Sequence, residues 1–422
     1  MHRLAFTFLF SISLGILPAS AADWMQFRGP GGLARSDDKG LPDKWSEKEN
    51  VLWKTKLPGP GTSSPICVGD GIYLTCYSGY GLSAEKPGEM KNLMRHLVCL
   101  DRKTGVIRWS KDVPPQLPES DYKAGNDSWH GYASSTPVSD GKNIFVFFGK
   151  SGVFCFDLAG NKIWNESVGT RTTGWGSATS PALYKDVVIV NASVESGAMI
   201  ALKKKDGKEA WKVPGTSSAW SSPILVELKG GKSELVLNQP GKPGKIVAYD
   251  PENGKEIWFS KGIPDGYVCP SIVANDGVIF AIGGRQNTSV GVKAGGKGEV
   301  KPLWTTPAGS NVTSPVYHEG HLYWLNENKG IAYCVNAISG EQVYGERVPG
   351  AGRTYSSAVY GDGKIYYLTQ NGGTIVVAAK PKFEVIAHNK LDDTSRTNAS
   401  PVIDNGKILI RSDTHLYCIG KK

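Results

Sequence analysis

Ser221-Ser222-Pro223-Ile224-Leu225-Val226 places two hydroxyl residues and a proline ahead of an aliphatic run, and the same step recurs along the chain. Clear copies are Ser63-Ser64-Pro65, Ser135-Thr136-Pro137, Thr179-Ser180-Pro181, Thr313-Ser314-Pro315 and Ala399-Ser400-Pro401, with degenerate ones at Val268-Cys269-Pro270 and Ser356-Ser357-Ala358. Their third residues fall at 65, 137, 181, 223, 270, 315, 358 and 401, so successive copies lie 72, 44, 42, 47, 45, 43 and 43 residues apart. A period of about 40–50 residues is the size of one four-stranded propeller blade, which cannot bury both its faces alone and is stable only beside neighbours.

Outward from Ser222 the blade reads strand by strand. Residues 222–227 suit strand A, 234–238 strand B and 245–250 strand C; Pro251-Glu252-Asn253-Gly254-Lys255 makes a turn, and Glu256-Ile257-Trp258-Phe259 opens strand D. Glycine supplies the positive φ that such a turn demands. Eight A-B-C units can be counted, the last without a strand D, while Val51-Leu52-Trp53-Lys54-Thr55-Lys56 stands before the first strand A as an orphan strand D. The expectation is an all-β, eight-bladed β-propeller of four-stranded antiparallel blades, closed by an N-terminal strand that completes the last blade and leaves no open edge. Loss of residues 51–57 is then expected to cost far more stability than loss of 23–40.

Composition agrees with many short strands and tight turns: 52 glycines and 25 prolines among 422 residues, 40% of them hydrophobic. One closed ring replaces the two or three domains that the length alone would suggest. His2 and Arg3 precede an apolar stretch from Leu4 to Leu17, and Pro18-Ala19-Ser20-Ala21-Ala22 offers small residues for cleavage. This pattern is that of a secretory signal peptide, and no lipid-bearing cysteine stands at the cleavage point. The expected organisation is residues 1–22 as signal peptide, 23–50 as an N-terminal extension and 51–422 as a single propeller, periplasmic or secreted and monomeric.

The net charge of +9 is spread over hairpin tips such as Lys203-Lys204-Lys205-Asp206-Gly207-Lys208. Together with export it points away from nucleic acid and toward an envelope protein, an anionic polysaccharide or an acidic small molecule. Four of the seven cysteines, Cys99, Cys155, Cys334 and Cys418, repeat at one blade position and read as buried apolar residues. Two pairs, Cys67 with Cys76 and Cys99 with Cys418, could bridge.

Strand D carries a tryptophan in most repeats: Trp53, Trp109, Trp164, Trp211, Trp258 and Trp304, replaced by Tyr344 and Phe383 in two copies. A flat indole there can dock between blades while its N–H finds a carbonyl, a structural girdle rather than an active site. Asp101-Arg102-Lys103-Thr104-Gly105-Val106-Ile107-Arg108-Trp109 resembles the tryptophan-docking motif of the pyrroloquinoline-quinone (PQQ) repeat family, and the resemblance covers residues 51–420. That family includes eight-bladed quinoprotein alcohol dehydrogenases and the non-enzymatic B subunit of the outer-membrane barrel assembly machine. Asp23-Trp24-Met25-Gln26-Phe27-Arg28-Gly29-Pro30, with Gly40-Leu41-Pro42, is similar to exported PQQ-like propellers of planctomycete-type bacteria.

Residues just before each strand A should gather round the central channel. They give a candidate binding set of His130, Tyr132, Trp175, Trp220, Tyr267, Asn311, Arg353, Tyr355, Arg396 and Asn398, to which a B-to-C loop adds Arg285. Aromatic rings with arginines suit a planar or anionic ligand. Long loops at 78–95 and 114–129 fall on the same face and suit a lid or docking surface.

The family resemblance implies PQQ between a tryptophan and a disulfide of adjacent cysteines, with calcium on Glu and Asn or Asp. The chain has no adjacent cysteines; Trp175 or Trp220 could stack, Arg285 or Arg396 could pair with carboxylates, and Glu195, Asn311 and Asp413 form the plausible calcium-side set. No catalytic Ser/His/Asp set, phosphate loop or metal motif stands out. The leading expectation is a binding or interaction scaffold without catalytic residues. A quinone-dependent dehydrogenase with an atypical site and a carbohydrate-binding propeller are the alternatives.

Overall fold

The computed structural model describes residues 23–83, 85–122, 130–371 and 373–421. The proposed signal peptide and residues 123–129 of the second long loop lie outside them.

Eight antiparallel sheets follow one another round a ring, each with strands A to D in order. The type blade is Ile224–Glu227, Ser233–Gln239, Lys245–Tyr249 and Glu256–Lys261, within a residue or two of the sequence reading. The eighth blade takes Val402–Asp404, Lys407–Arg411 and His415–Ile419 from the C-terminus and its fourth strand, Val51–Lys56, from the N-terminal side. Trp53 pairs with Cys418 and Lys56 with His415, so the expected closing strand is in place.

The hydroxyl step closes the ring from inside. The backbone N–H of its second residue donates to the hydroxyl of the equivalent residue one blade on: Ser64 to Thr136, then Ser180, Ser222, Ser271, Ser314, Ser357, Ser400 and back to Ser64, at 2.8–3.1 Å. The first hydroxyl of the step ties strand A to strand B of its own blade, as in Thr179 to Asn191 O at 2.8 Å and Ser221 to Asn238 O at 2.9 Å. One register needs correcting. In the fifth blade Ser271 supplies the collar hydroxyl, so that copy begins two residues later than Pro270 implied.

Outside, the tryptophans stack on the C-to-D turn of the following blade. Trp164 Nε1 donates to Lys204 O, Trp211 to Pro251 O and Trp304 to Ala337 O, at 2.8–3.1 Å. A Cβ on Gly105 would sit 2.4 Å from Trp53, on Gly160 3.1 Å from Trp109 and on Gly254 2.8 Å from Trp211. Trp258 departs from the pattern, since its N–H goes to the buried Glu234 carboxylate at 2.8 Å.

Residues 23–45 do not run free on the surface. Trp24, Arg28, Ala34, Leu41 and Trp45 are all buried. Cys67 N–H donates to Trp24 O and Ser139 N–H to Met25 O, while Arg35–Ser36 adds in parallel to strand A of the seventh blade. This segment crosses the ring from the first blades to the seventh beneath the hydroxyl collar. All seven cysteines are free, so neither candidate pair bridges.

Candidate functional site

All eight collar hydroxyls face one cavity of about 400 Å³ on the channel axis, floored by Phe27. Each collar oxygen already accepts a backbone N–H, and among the described residues none has an acceptor for its own proton. Eight hydroxyls whose O–H donors are unspent therefore border the cavity, and above them stand the side chains that precede each strand A.

Of the eleven candidates, His130, Trp175, Trp220, Tyr267, Arg285, Asn311, Tyr355 and Asn398 line this cavity. Trp220 is held by its N–H on Gly176 O at 2.9 Å and meets Tyr267 edge-on, with ring centres 6.3 Å apart. Arg285 lies over the Tyr267 ring at 5.0 Å, and Asn311 donates to the Tyr267 hydroxyl at 2.8 Å. Behind it, Glu327 accepts from Ser310 Oγ and Asn311 N–H at 2.7 and 2.9 Å, fixing the loop that carries Asn311. Asn398 is set by Gln370, which donates to its Oδ1 at 2.7 Å. His130 stacks parallel to Tyr355 at 5.6 Å. Burial, helped by the nearby Arg396 charge, lowers its pKa to about 4, so it is neutral at pH 7. Trp175 is 45% exposed, a large ring left open at the mouth.

Three candidates lie elsewhere. Arg353 is exposed and outside the cavity wall. Arg396 turns to Asp413, 3.3 Å away, where burial raises the carboxyl pKa against the pull of that arginine. Tyr132 packs under the two long loops against Tyr77 and Tyr80, its hydroxyl donating to Ser120 O at 2.8 Å. There a buried pair, Arg95 with Glu119 at 2.6 Å, joins one loop to the other.

The calcium-side set does not assemble. Asn311 lines the channel, but Asp413 is paired with Arg396 and Glu195 is buried away from the cavity wall, accepting from Ser177 Oγ. Burial pushes the Glu195 pKa up to about 7, the Ser177 bond holding it back. No group of three or more His, Cys, Asp or Glu with metal-holding geometry occurs among the described residues. One cysteine, Cys269, lines the cavity.

Two features escaped sequence reading. Phe27 is the channel floor, although its stretch stands out as a motif. The first blade also assembles a Ser78–His96–Asp112 chain across three strands, with Ser78 Oγ 2.7 Å from His96 Nε2 and Nδ1 2.8 Å from Asp112. Asp112 is largely in solvent and the loop at Gly59 lies against Ser78, which suits a cross-strand tie.

A family model described as outer membrane protein assembly factor BamB matches residues 43–219, 94–346 and 242–421. BamB from Moraxella catarrhalis superposes with a TM-score of 0.59 at 12% identity, over 88% of this chain and 97% of that one. Quinohemoprotein alcohol dehydrogenase from Comamonas testosteroni superposes with a TM-score of 0.66 at 12% identity, over 95% and 81%. At that identity the likeness is one of fold. Among curated proteins none matches in sequence.

Proposed function

The chain belongs to the family described as outer membrane protein assembly factor BamB, and from that premise we propose that it is an exported binding scaffold of the cell envelope whose channel mouth receives a ring-bearing, anionic ligand. The observation that carries this reading is the 400 Å³ cavity, where Trp175, Trp220, Tyr267 and the His130–Tyr355 stack stand above a collar of hydroxyl donors with Arg285 at the rim. Rings offer stacking faces, and the arginine and hydroxyls offer charge-assisted and neutral hydrogen bonds. Ligands of this class include acidic small molecules and the ends of anionic polysaccharides. The leader-like residues 1–22 support export, and no helix among the described residues is long and apolar enough to cross a membrane. The paired long loops of the first blade would offer a second surface to an envelope protein.

A quinone-dependent dehydrogenase is the second reading, favoured by the two indoles at the mouth. The residues present could stack a planar quinone, but they do not fit its calcium-bound form. Hard oxygen ligands must converge on one point, and Glu195, Asn311 and Asp413 do not.

Tryptophan fluorescence separates the readings. Titration with acidic oligosaccharides, and with PQQ in the presence and absence of calcium, should give saturable quenching that Trp175→Ala abolishes and Arg285→Ala weakens by about tenfold, the scale of one charge-assisted contact. Dye-linked oxidation of alcohols or sugars that requires both PQQ and calcium would overturn the scaffold reading in favour of the enzyme. Equal responses of wild type and Trp175→Ala to every compound would remove the mouth as the site.

A further inference from the structure

Arg28 lies beneath the collar with 2% of its surface exposed, yet among the described residues no carboxylate pairs with it. Its Nε donates to Gly32 O at 3.2 Å and its Nη2 to Pro315 O, while Nη1 has no partner among the described residues. Burial alone lowers its pKa to about 9, still mostly charged at neutral pH. A guanidinium removed from water without an opposing charge is among the most costly arrangements in a protein interior. Two carbonyls solvate the cation without neutralising it.

Arg28 also forms part of the wall of a second cavity of about 200 Å³, set between the crossing segment and blades three to five. Phe27 and the collar residues Ser180, Ser222 and Ser271 line both this cavity and the mouth. Their hydroxyl protons have no acceptor among the described residues. Glu227 is the carboxylate on this wall, but it is exposed and accepts from Ser233 Oγ at 2.9 Å.

We propose that this lower cavity is a binding site for a small oxyanion, a carboxylate or a phosphate-like group, held by the Arg28 guanidinium and the collar hydroxyls. The anion supplies the missing opposite charge and accepts the unmet donors together. The site does not depend on the ligand class of the mouth, because Arg28 lines only the lower cavity and Trp175 only the mouth, while Ser180, Ser222 and Ser271 border both.

The full exported chain should be melted in sodium phosphate, sodium acetate and sodium chloride at equal ionic strength. Phosphate or acetate is expected to raise Tm with rising concentration beyond chloride, since an anion that binds only the folded state stabilises it by mass action. The rise should vanish in Arg28→Gln and persist in Arg285→Ala, which touches only the mouth. Acetate above phosphate would assign a carboxylate, and the reverse order a phosphate-like group. If Arg28→Gln fails to fold, wild-type crystals soaked in sodium selenate should show an anomalous peak in the lower cavity within hydrogen-bonding distance of the Arg28 guanidinium. Identical melting in all three salts with no selenate at Arg28, or a water there in its place, overturns the proposal.

Discussion

At the residue scale the second hydroxyl of each Ser/Thr-Ser-Pro step has a partner that the local sequence does not reveal. Its oxygen accepts from the blade before, so the bond joins residues 42 positions apart in Ser180–Ser222 and 336 apart in Ser400–Ser64. Ser222→Ala should strand the buried Ser180 N–H and cost about 1–3 kcal/mol, the range for a buried donor left unmet. Ser222→Thr should restore most of the loss, since Thr136 fills the same role; urea denaturation midpoints at constant m-value check both. Glu195 makes a second prediction. Its ordinary pKa of 4.5 rises to about 7 in the fold, so the folded state favours the protonated carboxyl. That stabilisation is fully present below about pH 4.5 and is lost as pH rises through 7. Glu195→Gln should therefore flatten the decline in Tm between pH 5 and 8, read by calorimetry across that range. An unchanged slope would mean the group titrates normally. The periodic hydroxyl was legible as a mark of the blade, whereas its bond, and the burial that perturbs Glu195, exist only once the ring is closed.

At the element scale the girdle depends on a turn as much as on a tryptophan. Gly254 has φ +73° and its missing Cβ would lie 2.8 Å from Trp211, while Gly277 has φ +74° with nothing within 4 Å. Both alanine variants carry the left-handed backbone penalty, so their difference isolates the indole contact. Gly254→Ala should be less stable than Gly277→Ala by about 1–3 kcal/mol, the usual cost of overpacking; equal losses in denaturant would show that Trp211 yields freely. Strands were the most legible elements because aliphatic runs and glycine turns recur at a fixed period. The fifth blade misled because Pro270 imitates the motif proline one place ahead of Ser271, the residue that makes the bond. The segment at 23–45 was legible as a motif but not in its place within the ring. Trp24, Phe27 and Trp45 follow no blade period; Trp24 and Trp45 are buried against the blades and Phe27 lines the channel, surroundings that no single repeat contains. Position before strand A brings most of the candidate residues to the cavity wall, whereas Tyr132 and Arg396 turn to closer partners, Ser120 and Asp413.

For the whole molecule, closure and filling are separate tasks given to adjacent stretches of one N-terminal segment. Residues 51–56 close the ring, pairing with His415–Ile419 and setting Trp53 against Gly105 of the first blade. Residues 23–45 fill it, burying Trp24, Arg28, Leu41 and Trp45. Loss of 23–40 is expected to cost far less than loss of 51–57, yet it is not free, since Trp24 and Arg28 leave the interior with it. The two costs should nevertheless differ in kind. A chain beginning at Asn50 keeps eight complete blades and should unfold in one cooperative transition, at a lower Tm than the chain beginning at Asp23. A chain beginning at Pro58 also loses the fourth strand of the last blade, exposing the edge of His415–Ile419 beside an unstacked first blade. An open edge of this kind invites pairing between molecules. This shorter chain should lose its cooperative transition and associate with rising concentration, as seen by calorimetry and light scattering. The same Tm for the chains beginning at Asn50 and Pro58 would place closure in the inner collar alone, because the eight hydroxyl bonds would then hold the ring without its outer strand.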